Sequence, residues 1–157
     1  MSGVRDAVVV AAILTAGLVA GLFAAFAYSV MPGLDRATPS AAIEVMQRIN
    51  AAILNPVFGL VFGGGLVLAA LAAVLAWGGS LRWWALAAFG CYVAGVLITM
   101  LFNVPLNVRL DAVGDASGTQ AAAAWADFSG AWVRWNLARA GIHLLGFALL
   151  TAGLVTR

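Results

Sequence analysis

Four stretches of this chain are apolar over about 20 residues or more, the length a helix needs to cross the hydrocarbon core of a bilayer. They run from Ala7 to about Met31, from about Ala51 to Trp77, from Trp83 to Phe102, and from about Asn136 to Thr156. Three contain no charge, and the fourth contains Arg139 and His143. In lipid each backbone polar group must find its partner inside its own segment, so these stretches are expected to be helices. The whole chain agrees: of 157 residues, 64% are hydrophobic and 9% charged, against roughly 45–50% and about 25% in soluble domains. So small a soluble globule could not hide that much apolar surface, which excludes a soluble enzyme. Disorder, which needs low hydrophobicity and high net charge, is excluded too. The expected fold is all-α: one integral membrane four-helix bundle with two longer, partly helical connections on one side.

The first stretch ends near Ala25-Phe26-Ala27, a cleavage-like site, but its apolar run is too long for a signal-peptide core. It is expected to remain in the fold. All eight cationic residues are Arg, which leaves no lysine for Schiff-base or phosphate-loop chemistry. No basic run points to nucleic acid. One Cys and one His cannot build a disulfide framework or a zinc site of usual composition. No flavin or nicotinamide motif is present, so neither a cofactor nor a metal is expected.

With four spans, both termini and the tight turn at 78–82 share one side, and the connections at about 32–50 and 103–135 share the other. The first side carries Arg5, Arg82 and Arg157, which places both termini in the cytoplasm of a multi-pass cell-membrane protein. Pro39-Ser40 reads as a helix start, followed by Ile43, Met46 and Ile49 at helical spacing. Trp125, Phe128, Trp132 and Trp135 form one aromatic face entering the fourth span, as an interfacial belt or as a ligand wall. Gly17-x-x-x-Gly21 and Gly59-x-x-x-Gly63 suit close helix packing within the chain, and leave room for oligomerisation.

The scarce polar residues gather at the non-cytoplasmic face. Asn50 and Asn55 lie at the start of the second span, Asn103 and Asn107 at the end of the third, and Asn136, Arg139 and His143 at the start of the fourth. Spacing of three and four puts the last three on one helix face. Each has a plain reading as well. Asn55 before Pro56 suits a helix cap, Asn103 can close the third helix with Pro105 preventing its continuation, Arg139 can snorkel, and His143 can be a buried packing residue. Together they suggest a polar pocket.

Four segments in order resemble the anthrone-oxygenase-like membrane family. They are Tyr28-Ser29-Val30-Met31-Pro32-Gly33-Leu34, then Met46-Gln47-Arg48-Ile49-Asn50 leading to Asn55-Pro56-Val57-Phe58, then Asn103-Val104-Pro105-Leu106-Asn107, and finally Trp132-Val133-Arg134-Trp135-Asn136-Leu137-Ala138-Arg139. The resemblance implies a four-helix membrane bundle and, from fungal relatives, oxidation of polyketide anthrones to anthraquinones. Many members carry His directly after the Asn of the last motif, where this chain has Leu137.

On that footing the expected activity is cofactor-independent oxidation of an anthrone-like carbon acid, which reacts with oxygen once deprotonated. Arg139 and Asn136 would stabilise the enolate, with His143 or an outer carboxylate such as Asp111 as base. Trp132, Trp135 and Phe102 would form stacking walls, and Asn55, Asn103 and Asn107 would contact substrate. The alternative is a non-catalytic membrane protein that binds or passes a small lipophilic or aromatic molecule.

Overall fold

A computed structural model describes residues 2–156. Five helices account for nearly all of it: α1 (Gly3–Leu34), α2 (Pro39–Ala52), α3 (Pro56–Leu75), α4 (Arg82–Asp111) and α5 (Gly118–Val155). Among the described residues there is no strand. All but α2 are long and apolar enough to cross a membrane. In α1 and α3–α5, many leucines and valines stay exposed on the outer surface while alanines make up much of the buried core, as expected where the outer solvent is lipid.

The bundle has two ends. At one, Val9 and Ala12 of α1 pack with Ala72 and Ala73 of α3, Ala76 just after it, Leu81 and Ala85 at the start of α4, and Leu150 of α5. At the other, α2 lies across the bundle and buries Ile43 and Met46 against Met31, Leu110, Trp125, Phe128 and Trp132. Thr38 starts α2 as its N-cap, accepting from the Ala41 amide at 3.4 Å. Gln47 ties α2 down by donating to the carbonyls of Leu110 at 3.0 Å and Gly114 at 3.4 Å. The Trp125 indole donates to Asp35 at 2.9 Å from the other side.

Two helices run further than the sequence suggests. Pro105 was expected to stop the third span at Asn103, yet α4 continues to Asp111. A proline inside a helix removes one N–H and crowds the carbonyl four residues back. Here that carbonyl belongs to Leu101, which lies in a wider π-helical turn over Thr99–Asn103, and the widening makes room for the ring. Pro32 stands in the same relation to the π turn Phe26–Val30 in α1. A third π turn, Gly59–Gly63, has no proline behind it. Two of its carbonyls, Val61 and Phe62, accept from the Tyr92 hydroxyl at 3.3 and 3.2 Å.

The fourth span belongs to a helix that begins at Gly118, well before Asn136. At 1.5 Å per residue α5 is about 57 Å long, nearly twice the ~30 Å hydrocarbon core, so its first turns stand clear and support α2. The second connection therefore shrinks to residues 112–117. Gly114 and Gly118 bound it with φ of 62° and 56°, left-handed values that cost any other L-residue about 1–2 kcal/mol.

The glycines that matter most for packing are not those of the GxxxG patterns. A Cβ on Gly17 would touch the Phe147 ring at 3.3 Å, but Gly21, Gly59 and Gly63 face open space. A Cβ on Gly65 would collide with the Tyr92 hydroxyl, and one on Gly95 with the His143 ring. Gly95→Ala is therefore expected to destabilise the protein by about 1–3 kcal/mol, the usual range for overpacking. Thermal unfolding in detergent checks this, and His143→Ala in the same chain should restore part of the loss.

Candidate functional site

Asn136, Arg139 and His143 do share one inward face of α5, at 0%, 7% and 1% exposure. The Arg139 guanidinium donates to Asn136 Oδ1 through Nε at 3.2 Å and Nη2 at 3.0 Å. Its Nη1 donates to Thr99 Oγ1 at 3.3 Å, and that hydroxyl donates onward to the Gly95 carbonyl at 2.9 Å. Asn136 is held in turn by donating to the Phe23 carbonyl at 2.7 Å. The Arg139 Cζ lies 3.8 Å from the Phe23 ring centroid and 5.4 Å from that of Trp132, so two aromatic rings sit close to the cation.

A guanidinium has five N–H groups, and these bonds engage three. Among the described residues the ion pairs are Arg5–Asp6 and Arg48–Glu44; no carboxylate pairs with Arg139. A buried cation held only by neutral partners favours any anion that reaches it.

Arg139 faces a cavity of about 230 Å³ under α2. Phe23, Phe26, Phe58, Phe62 and Trp132 supply aromatic surface, and Asn50, Thr99, Asn103 and Asn107 supply polar groups. Asp111 also lines it and is the one carboxylate that does. Asn107 Oδ1 accepts from the Trp132 indole at 2.8 Å, and Asn103 Nδ2 donates to the Trp132 carbonyl at 3.3 Å. Asn107 thereby orients the Trp132 indole, while Asn103 ties α4 to the α5 backbone at the same residue. Asn103 Oδ1 and Asn50 Nδ2 are buried without a partner, where a polar atom left unpaired costs about 1–3 kcal/mol.

Not every residue singled out from sequence reaches this cavity. Asn55 is exposed and serves as the cap of α3, accepting from the Phe58 amide at 3.0 Å and donating to the Ala52 carbonyl at 2.8 Å. Phe102 and Trp135 stack on one another, with centroids 3.6 Å apart and planes 8° apart; neither lines the cavity. His143 lies behind it. Its ring is packed among Phe23, Phe62 and Tyr92, with centroids at 5.7, 6.0 and 4.6 Å, and neither ring nitrogen has a hydrogen-bond partner. Phe23 and Phe62 line the cavity while His143 does not.

Residues that sequence reasoning passed over include Phe23, Phe62, Tyr92 and Thr99. Thr99 had a signal. Gly95, Thr99, Asn103, Asn107 and Asp111 recur every four residues, one stripe of a single helix, hidden by the assumption that Pro105 ends that helix. Phe23 and Phe62 had none, being two of many aromatics in apolar runs. Among the described residues no group of three or more His, Cys, Asp or Glu is placed to hold a metal.

The fold and site together define a bundle of four helices long enough to cross a membrane, with one buried guanidinium that lacks an acid partner on the wall of an aromatic cavity. The anthrone oxygenase family model matches residues 46–149. That stretch covers the second half of α2, all of α3 and α4, and α5 through Arg139 and His143, so the chain belongs to this family. The α1 side of the cavity, Leu22, Phe23 and Phe26, lies before the matched region. No curated protein and no solved structure matches the chain.

Proposed function

We propose that this protein oxidises an anthrone-like aromatic carbon acid at the membrane, using dioxygen as oxidant. The observation that carries this reading is the Arg139 guanidinium, buried, without an acid partner, on the wall of an aromatic cavity. Such a substrate has a methylene between two rings, acidified by the ketone opposite. Removing its proton leaves an enolate whose oxygen anion would sit against the free N–H groups of Arg139. The carbanion gives one electron to dioxygen, and the resulting carbon radical and superoxide combine to form the C–O bond. The peroxide gains a proton. Loss of the second carbon-bound proton then breaks the O–O bond, releasing water and leaving the ketone of the quinone. Phe58, Phe62 and Trp132 would stack on the flat ring system. At about 230 Å³ the cavity is smaller than the usual ligand site of about 300–1,000 Å³, so it suits only a compact, flat molecule.

Asp111 is the group best placed to act as base, because it lines the cavity and His143 does not. Asp111→Asn is expected to lower oxygen consumption with anthrone about 100-fold, within the range for a lost general base. An oxygen electrode on purified protein reads this directly, and a rate equal to wild type would remove Asp111 from the mechanism.

One observation favours the non-catalytic reading, in which the cavity only binds or passes a lipophilic aromatic molecule. Asp111 itself is exposed, and an exposed carboxylate is a weak base for a carbon acid. Wild-type protein that is stabilised against heating by anthrone, yet consumes no oxygen above background, would decide for binding.

In the same reading α2 and the Asp111 end face away from the cytoplasm, with both termini inside. Asp35→Cys and Asp115→Cys, each in a Cys91→Ser background, should react with an impermeant thiol reagent applied to intact cells. Labelling only after lysis would invert the orientation.

A further inference from the structure

The cavity has a gap in one wall. Helices α3 and α4 pack together along Gly64–Leu75 and Arg82–Ile98, but their turns nearest α2 scarcely touch. The separation starts where both helices widen into π turns, Gly59–Gly63 and Thr99–Asn103. The cavity-lining side chains along this gap are Leu54, Phe58, Met100, Val104 and Val108. Leu54 is 82% exposed, Met100 53%, Val104 38% and Val108 60%. These apolar groups belong to the cavity wall and to the outer surface at once.

The depth of the gap follows from helix rise. Arg82 stands over the Trp83 ring, with Cζ 4.5 Å from its centroid, and exposed Trp77 and Trp84 are near in sequence; such a cluster marks a membrane interface. Met100 lies about 27 Å further along α4 at 1.5 Å per residue. With a hydrocarbon core of about 30 Å, Met100 falls near its opposite edge, Val104 within the headgroup layer and Val108 at that layer's water side. The approach from water is different. There α2 roofs the cavity with Met46 and Ile49 and is pinned by Gln47 to the Leu110 and Gly114 carbonyls.

We propose that an aromatic ligand dissolved in the bilayer reaches the Arg139 cavity sideways, through the gap between α3 and α4 at the hydrocarbon edge nearest α2. A flat, water-insoluble molecule concentrates in that layer, and the gap offers it apolar contact from lipid to cavity. The ketone oxygen would meet Arg139 last, after the rings have passed Val104 and Phe58. This rests on the cavity being the ligand site, whether the ligand is oxidised there or only bound.

The test uses anthraquinone, which cannot be oxidised further at that carbon, so loading is read apart from catalysis. Its association with the full-length protein in lipid vesicles is followed by quenching of tryptophan fluorescence. Val104→Phe and Leu54→Phe, both at exposed positions, are expected to slow association by about tenfold, within the spread of mutant on-rates, and to slow dissociation as well, whereas mere loss of wall contacts would speed it. Leu137→Phe, exposed on α5 on the side that faces α1, should change neither rate. Unchanged association in both gap variants, or slowing by Asp111→Tyr alone, would overturn the lateral route while leaving the oxidation reading intact. If wild type binds no anthraquinone, both fall together. Oxygen consumption without any effect of the gap variants on loading would remove only the route.

Discussion

Arg139→Ala is expected to reduce anthrone-dependent oxygen consumption by about 100- to 1,000-fold, the loss typical of deleting a preorganised oxyanion partner. The size follows from the setting. Arg139 is 7% exposed, held by Asn136 and Thr99, and flanked by Phe23 and Trp132. No water shell screens it as on a surface, so a developing enolate gains far more from it than in bulk solvent. Arg139→Lys separates charge from geometry. Lysine keeps the cation but has no planar fork to bond Asn136 and Thr99 while leaving N–H groups for the ligand. It should recover a minor part of the rate. Wild-type oxygen consumption in Arg139→Ala would end the proposed mechanism.

The largest loss of stability is expected from Asn136→Leu. Asn136 is fully buried and makes three hydrogen bonds to two partners: it accepts twice from Arg139 and donates to the Phe23 carbonyl. A leucine of similar volume removes all three bonds and leaves a buried guanidinium short of acceptors. Hydrogen bonds to charged groups contribute about 1.5–3 kcal/mol, so a loss of about 3 kcal/mol is expected. The double variant Asn136→Leu/Arg139→Leu should be more stable than Asn136→Leu alone, because no charge is then left unsatisfied. Thermal unfolding of the two variants side by side gives the sign. A double variant less stable than the single would show that Asn136 contributes mainly by shape.

How much was legible before any coordinates can be seen in particular residues. Asn136 and Arg139 stood out because ionisable and amide groups are costly in lipid, so their presence in an apolar run carries information. Their spacing put them on one face, and that face does point inward. Asn55 stood out for the same reason and proved to be a helix cap. A polar side chain at a span's edge can satisfy backbone or ligand, and composition does not distinguish the two. Phe102 and Trp135 shared the aromatic pattern of Trp132, yet face each other outside the cavity. One helical turn separates a wall residue from its neighbour, so period alone could not sort them.

Pro105 shows the converse. Local rules favour a helix end there, and α4 passes through because a π turn removes the clash. That continuation aligns Thr99, Asn103, Asn107 and Asp111 along one wall of the cavity. His143 was also ambiguous. It shares the face of Arg139, but Phe23 from α1 and Phe62 from α3 stand between it and the cavity, and neither is near it in sequence.

What the sequence alone determined was the class of fold and the membrane end at which polar chemistry collects. Apolar run length and the cost of burying polar groups in lipid are local quantities, readable one segment at a time. Only the tertiary structure decided which of those groups share a cavity, which of them cap a helix, and where that cavity opens. Those outcomes depend on helix rotation, on three π turns, and on how far α3 and α4 separate. Each is set by contacts between segments distant in the chain, such as Tyr92 with the carbonyls of Val61 and Phe62, and by no property of one segment.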